Sequence, residues 1–313
     1  MKVNLRKLGI FVALSTVLLL GMLLIAFSYV DIGFTDLIVG KEKPVKITDI
    51  SAVPESVVED ATAMATELYG DYHDKYTEFA DQLLTAYVEA KDKDFVVIFN
   101  SGGWGTDILE SSTGWNEICH GIEAELDNLG YSSLILDYHR TAESTRGLIK
   151  EFVEVVSVYP SKARNLASRV EFLTRNIPDL IIIVAGESNG VIISDTVMDM
   201  LHDNPRVYSI QTGTPFWHKR ATLERTLALE GNGMVVDSFS RGDIPAMLLA
   251  SAKALVGISS AEEDPGRIFY FMRAPGHDYR WQYPDVYLRI TDFLKQNFSF
   301  DKRIQVTSGR LRN

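Results

Sequence analysis

The hydrophobic pattern alternates between short apolar runs and longer stretches in which apolar residues recur every three or four positions. Short β-branched runs predict buried strands, and the longer period predicts helices. The predicted strands are residues 95–99, 132–137, 180–185, 206–211, 234–240 and 268–272. Helical periodicity covers residues 113–129, 148–173, 191–198, 246–256 and 283–298. This alternation predicts an α/β fold, with a mostly parallel sheet of about six strands flanked by helices.

The N-terminal part of the chain has a different pattern. Residues 1–9 form a short basic lead, and residues 10–30 contain no charged residue. A helix of about 20 apolar residues is long enough to cross a bilayer. We therefore expect residues 10–30 to be a transmembrane signal-anchor and the protein to be a single-pass protein of the cell membrane.

The orientation and fate of this segment rest on two weaker signals. Lys2, Arg6 and Lys7 precede the apolar stretch and acidic residues follow it, which favours an inside N-terminus and an extracytoplasmic globular domain. The alternative is a secreted protein whose signal is cleaved near Ala26-Phe27-Ser28. Signal-peptide cores usually have only about 7–15 apolar residues, so the uncleaved anchor is favoured.

The remaining boundaries follow from changes in pattern. Residues 31–54 have mixed charge and two prolines, which is typical of a linker, and residues 55–92 predict one or two amphipathic edge helices with a break at Gly70. The main domain is expected over residues 93–299, and residues 300–313 form a tail. Inserted segments at 140–160 and 218–233 are the candidates for a lid.

Composition excludes some classes of function. The formal net charge of -11 argues against a nucleic-acid partner, because a phosphate-binding face needs a basic patch. Cys119 is the only cysteine, so no intramolecular disulfide is possible. It is too isolated to indicate a metal site, and we expect it to be a core residue.

The strongest local motif is Gly186-Glu187-Ser188-Asn189-Gly190, which lies between a predicted buried strand and a predicted helix. A sharp turn at this junction requires neighbours without side chains, and Gly186 and Gly190 meet that requirement. The turn also places Ser188 at a helix N-terminus, where backbone N–H groups can stabilise an oxyanion. The motif in this setting predicts a nucleophilic serine, although a plain strand–helix turn is the alternative.

With this strand–turn–helix context, residues 93–299 resemble the α/β-hydrolase family. The resemblance implies a Ser, acid, His order along the chain, with each residue after a strand. Ser188, Asp243 and His277 match that order as nucleophile, orienting acid and base. Asp237 and Asp278 are rivals for the acid, and Asp243 could instead cap the following helix.

The resemblance also implies an oxyanion hole and leaves the substrate pocket open. Its donors would be the backbone N–H groups of Gly103, in the glycine-rich loop after the first strand, and of Asn189. That loop lacks the Lys and Ser/Thr of a phosphate-binding loop. Trp104, Trp217 and Trp281 fall in or near loops at this edge, where they either line an apolar pocket or pack in the core.

The implied activity is transfer of an acyl group to water without a metal or organic cofactor. We expect a carboxylesterase or lipase-like serine hydrolase acting on a small or lipid-like acyl compound, with thioesters and amides as further candidates. Two early strands common in the family are not evident here. The alternative function is a membrane-tethered, catalytically inactive scaffold or binding domain of the same fold.

Overall fold

The structure is a computed structural model of the 313-residue chain. It describes residues 53–70, 73–103, 109–138, 160–219, 224–258, 266–269 and 272–299. The basic lead, the predicted anchor at 10–30, all but the last two residues of the linker at 31–54, Trp104 and the tail lie outside the described residues. So do nearly all of the lid candidate at 140–160 and the first part, up to residue 159, of the helix predicted at 148–173. Within the described part of the chain, none of the helices has the length and apolar character needed to span a bilayer.

The described residues alternate between helices and strands. The helices are α1 (Glu55–Tyr69), α2 (His73–Ala90), α3 (Thr113–Asn128), α4 (Pro160–Asn176), α5 (Asn189–Met200), α6 (Ile244–Leu255) and α7 (Pro284–Phe298). The strands are β1 (Phe95–Asn100), β2 (Ser133–Asp137), β3 (Ile181–Glu187), β4 (Val207–Thr212), β5 (Thr226–Leu229), β6 (Gly266–Phe269) and β7 (Met272–Ala274). A short 3-10 turn, Leu109–Ser111, precedes α3.

The main sheet in the described part of the chain has five strands in the order β2-β1-β3-β4-β5, and every neighbouring pair is parallel. Both of its faces are buried. In β1, Val96 and Ile98 face a core that includes residues of α1, α2, α4 and α5. Phe95, Val97 and Phe99 face a second core that includes residues of α3 and α7. Burial on both faces explains why these strands are continuous apolar runs.

The predicted edge helices form as α1 and α2. Val57, Ala61, Met64 and Ala65 are the buried residues of α1, and they recur at helical spacing along one face. Gly70 ends the helix with a φ of 56°, a backbone conformation that glycine adopts without steric cost. The predicted break at Gly70 is confirmed.

One of the six predicted strands is wrong, and another is correct only in part. Residues 234–240 form bends and turns, with an isolated bridge from Val236 to Gly231, and β5 forms earlier, within the segment that is a lid candidate. Residues 268–272 span the junction of β6 and β7, which pair antiparallel in a separate two-stranded sheet. Among the residues that the structure describes, the main sheet therefore has five strands instead of about six, and residues 226–229 belong to the sheet edge rather than to a lid.

The order of the strands determines where a site can form. The chain runs from β1 to β2 on one side and then crosses to β3 on the other side of β1. In parallel α/β sheets, ligands bind beyond the carboxyl ends of the strands at such a switch point. The loop containing Gly103 follows β1 and Ser188 follows β3, so both lie at the switch point.

Candidate active site

Ser188 lies in a strained turn between β3 and α5. Its φ is 49° and its ψ is −118°, and within the described residues Asp179 is the other non-glycine residue with a positive φ. Its N–H donates to the carbonyl oxygen of Thr212 at the end of β4 (2.9 Å). Such backbone strain costs about 1–3 kcal/mol and is concentrated at functional sites. The geometry is that of the predicted nucleophile elbow.

The flanking glycines are required by close packing. A Cβ added to Gly190 would lie 2.1 Å from the carbonyl oxygen of Asn100, and one added to Gly186 would lie 2.6 Å from Ser194 Oγ. The Asn100 side chain also donates to the Gly190 carbonyl oxygen (2.9 Å). The elbow is therefore packed directly against the end of β1.

His277 forms its hydrogen bond with Asp237. Nδ1 of the imidazole lies 2.9 Å from Oδ2 of Asp237, whose side chain is fully buried. Asp237 also accepts bonds from the Phe239 and Ser240 N–H groups, the Ser240 hydroxyl and the Tyr279 hydroxyl, at 2.8–3.0 Å. These bonds hold the Asp237 carboxylate in place. Because Nδ1 of His277 faces that carboxylate, Nε2 is the ring nitrogen on the opposite side.

The prediction that Asp243 orients His277 is wrong, because the His277 ring bonds Asp237 and Asp243 bonds a helix N-terminus. Asp243 is exposed at the N-cap of α6, where its Oδ1 accepts from the N–H of Ala246 (3.1 Å). Asp278, the other rival, instead accepts from Arg280 (3.0 Å) and the Tyr283 hydroxyl (2.9 Å). The error follows from the predicted strand at 234–240, which placed Asp237 inside a strand rather than in a loop.

The end of β4 brings Ser188 and His277 to the same place. Ser188 is bonded to Thr212, and a Cβ added to the next residue, Gly213, would lie 2.6 Å from Cε1 of His277. Gly213 has a φ of 67°, so both its conformation and its surroundings exclude a side chain. Ser188 and His277 thus contact adjacent residues of the chain at one edge of the sheet.

The two predicted oxyanion residues are also in contact. Asn189 is the first residue of α5, and its side-chain amide donates to the carbonyl oxygen of Gly103 (3.0 Å). The Gly102 N–H points to Oε2 of Glu187 (3.4 Å). The first amides of a helix have no intrahelical acceptor, which gives the α5 N-terminus capacity for an anion.

The tryptophans differ in their surroundings. Trp217 is half exposed and packs edge-on against Phe239 (5.3 Å between centroids), which in turn packs against the His277 ring (4.8 Å). Trp281 instead lies against Gly121 of α3 and packs edge-on against Tyr287. A pocket role remains a prediction for both, and only Trp217 is linked here to the histidine.

Sequence reasoning did not identify Tyr279 as part of the site. Its hydroxyl donates to Asp237 Oδ2 (2.8 Å), and burial, followed by the Asp237 charge, raises its pKa well above the ordinary value. Tyr279 is therefore a neutral donor that supports the orienting carboxylate. Its position two residues after His277 is the only signal in the sequence.

The environment of Asp237 keeps it ionised. Burial by itself raises the pKa of this carboxyl, but the hydrogen bond and charge of His277, the Ser240 N–H and the Tyr279 hydroxyl outweigh burial. The resulting pKa is below the ordinary value. Across the neutral range Asp237 is consequently a carboxylate that can stabilise an imidazolium at His277.

The lowered pKa of Asp237 predicts loss of stability in acid. A carboxyl with a depressed folded-state pKa stabilises the fold above its unfolded pKa of about 3.9, and this contribution is lost as the pH falls toward the folded value. We expect the difference in unfolding free energy between the wild type and Asp237→Asn to shrink as the pH falls from 6 to 3. Urea unfolding at each pH measures it. A difference that stays constant or grows would contradict the assignment.

No metal site is evident in the described part of the chain, since no three His, Cys, Asp or Glu side chains there are grouped to hold an ion. The expectation that no metal or cofactor is needed stays a prediction.

Comparisons with known proteins add little to this geometry. No protein-family model matches the sequence, and no curated protein matches it. Among solved structures, a Trichoderma reesei cutinase in complex with a C11Y4 phosphonate inhibitor is similar at 12% sequence identity and a TM-score of 0.32. The match covers 57% of this chain and 77% of the cutinase chain. A TM-score this low supports no conclusion about fold or function, so any assignment depends on the site itself.

Proposed function

We propose that this chain is a serine hydrolase of the α/β-hydrolase type that cleaves carboxylic esters. Ser188 is the nucleophile, His277 the general base and Asp237 the carboxylate that orients the imidazole. The observation that carries the proposal is the strained Ser188 turn at the switch point, bonded to Thr212, together with His277, which lies against the adjacent Gly213 and whose Nδ1 is held by a buried carboxylate. A structural serine does not need this backbone strain, and a structural histidine does not need this partner.

The chemistry proceeds in two balanced steps. Ser188 Oγ attacks the ester carbonyl carbon while His277 Nε2 takes the hydroxyl proton, and that proton then goes to the leaving alcohol as the C–O bond breaks. Water next attacks the acyl-serine and gives a proton to His277, which then returns it to Ser188 Oγ as the acyl C–Oγ bond breaks and the acid leaves. Asp237 remains ionised and stabilises the imidazolium formed in each step.

The negative charge on the carbonyl oxygen needs donors placed where it develops. The N-terminal amide of Asn189 and the loop amide of Gly103 are the donors we assign. The Asn189 side chain, bonded to the Gly103 carbonyl oxygen, sets the distance between the two residues. The position of Ser188 at the start of α5 adds the positive end of the helix dipole.

The surroundings of His277 favour an apolar substrate. Phe216, Trp217 and Phe239 form an aromatic cluster, with Trp217 centroid distances of 5.0 Å to Phe216 and 5.3 Å to Phe239. The loop with Phe216 and Trp217 is fixed to α5 by His218, whose Nε2 lies 3.0 Å from Asp195 Oδ2. We propose an acyl or alkyl chain against these rings, supplied from the outer face of a membrane to which residues 10–30 tether the domain.

Hydrolysis of p-nitrophenyl esters of graded chain length tests the function. We expect turnover by the wild type that rises with acyl length over the short chains and is lost in Ser188→Ala. Ser299→Ala is the control, because it also removes a serine hydroxyl but lies directly after α7. There the Tyr131 hydroxyl donates to the carbonyl oxygen of the neighbouring Phe298. Equal turnover by wild type and Ser188→Ala, or none by either, would favour the scaffold function.

A further inference from the structure

The outward face of α6 is apolar. Met247 is the one fully buried residue of this helix, and Lys253 is its one charged residue. The large apolar residues on the exposed side are 44–78% exposed. They are Ile244, Leu248, Leu249 and Leu255, with Val256 and Ile258 directly after the helix. A surface helix of a soluble domain normally has its polar residues on this side, so α6 has the opposite pattern.

Helix α7 provides a comparison, because its exposed side mixes charged residues with the apolar Tyr287 and Leu288. The buried residues of α7 include Val286, Ile290 and Leu294, at helical spacing. Its exposed positions include charged residues, such as Arg289 and Lys295. The two helices belong to the same domain, and only α6 presents a continuous apolar face to the outside.

The apolar face continues toward the candidate active site. A Cβ added to Gly242, just before α6, would lie 3.1 Å from the Phe216 ring, and Phe216 packs edge-on against Trp217. Phe216 and Trp217 are both about half exposed. We define the α6 surface as Phe216, Trp217, Ile244, Leu248, Leu249, Leu255, Val256 and Ile258. It includes two members of the aromatic cluster, and both pack against the third, Phe239, which contacts the His277 ring.

We propose that the α6 surface lies in the interface of a lipid bilayer, with the Ser188 edge of the sheet turned toward the lipid. Helices that bind at this depth combine an apolar face with basic residues and aromatic side chains at its border. Here the aromatic residues are Phe216 and Trp217, and the one charge within α6 is basic. The inference does not depend on Ser188 being catalytic.

The sequence outside the described residues favours a bilayer over another occupant. Residues 10–30 are uncharged and long enough to cross one. Residues 31–52 inclusive, 22 positions, join them to the described domain. A connection of that length spans at most about 75 Å when fully extended. A bilayer surface would then always be within reach of the domain.

Site-directed fluorescence in the full-length chain tests the inference. The chain is reconstituted in phosphatidylcholine vesicles with an environment-sensitive dye on Leu249→Cys or, as the matched control, on Met200→Cys. Both positions are exposed, but Met200 ends α5 and so lies toward the amino ends of the strands. Cys119 is fully buried and burial raises the pKa of its thiol, so the introduced thiol is the one that reacts.

We expect the dye at position 249 to emit at a shorter wavelength than the same dye in water. Lipids with a nitroxide on the acyl chain should quench roughly half or more of its intensity, as expected for a group at the depth of the acyl chains. The dye at position 200 should remain water-like and unquenched. A Leu248→Asp/Leu255→Asp background should abolish quenching at 249 while leaving the thermal midpoint unchanged. No quenching at 249, or equal quenching at both positions, would overturn the inference. A dye at 249 shielded from water but not quenched, with cross-links between copies, would instead indicate a dimer.

Discussion

We expect Asp237→Asn to lower kcat for ester hydrolysis by about 10⁴-fold and Asp243→Asn to leave kcat within about twofold of the wild type. An amide at position 237 cannot hold His277 in the required tautomer or stabilise the imidazolium. Asp243 bonds the N–H of Ala246 at the start of α6. Asparagine caps helices about as well as aspartate, so the second substitution disturbs neither the helix nor the site.

The two substitutions form a matched pair because each exchanges one carboxylate oxygen for an NH₂ group. Steady-state kinetics with one p-nitrophenyl ester gives kcat and KM for both variants, and urea unfolding shows that each is folded. KM should change little in either, because neither side chain is placed to bind the acyl group. A large loss of kcat in Asp243→Asn together with an active Asp237→Asn would return the orienting role to Asp243.

We expect Gly190→Ala to destabilise the fold by about 3 kcal/mol or more. Intrinsic propensity predicts the opposite sign, because alanine is favoured over glycine inside a helix by about 1 kcal/mol. The added Cβ would lie 2.1 Å from the Asn100 carbonyl oxygen and 2.8 Å from that of Ser101, and both are backbone atoms. Relief requires α5 to move away from the end of β1, so the packing term exceeds the propensity term.

Urea unfolding of Gly190→Ala, compared with Gly231→Ala, measures this effect. A Cβ at Gly231 meets its nearest atom at 3.7 Å, an ordinary van der Waals contact, so that variant should stay close to the wild type. Ester hydrolysis by any folded Gly190→Ala should also fall, because the loop after β1 supplies one of the proposed oxyanion donors. Equal unfolding midpoints for the two variants would mean that the elbow is not packed on β1 as described.

The parts of the fold that depend on local pattern could be predicted from the sequence. β1, β2 and β3 are mainly apolar runs, β4 mixes apolar with small polar residues, and all four form within a residue or two of the predicted bounds. The elbow could be identified because Gly186 and Gly190 satisfy a steric requirement within five residues. The order of the strands in the sheet depends on pairing between distant residues, and no local pattern encodes it.

Asp237 could not be identified from the sequence as the carboxylate that bonds His277. The local sequence around it is typical of a strand, and the bond itself depends on tertiary structure. Residues 234–240 contain Val235, Val236 and Phe239, which resemble a strand in sequence. In the structure Asp237 accepts the N–H groups of residues 239 and 240, and this local turn competes with strand formation. Its bond to His277, 40 positions along the chain, appears only after folding.

The central claim is that Ser188 is an activated nucleophile, and the site of a covalent fluorophosphonate adduct tests it most directly. Full cleavage after Arg and Lys leaves Ser188 in the peptide of residues 176–206, which also contains Ser194. We predict that fragmentation of this peptide locates the phosphonyl group on Ser188 and that His277→Ala suppresses its formation. An adduct on another serine, or an unmodified Ser188 after prolonged exposure of folded protein, would contradict the claim.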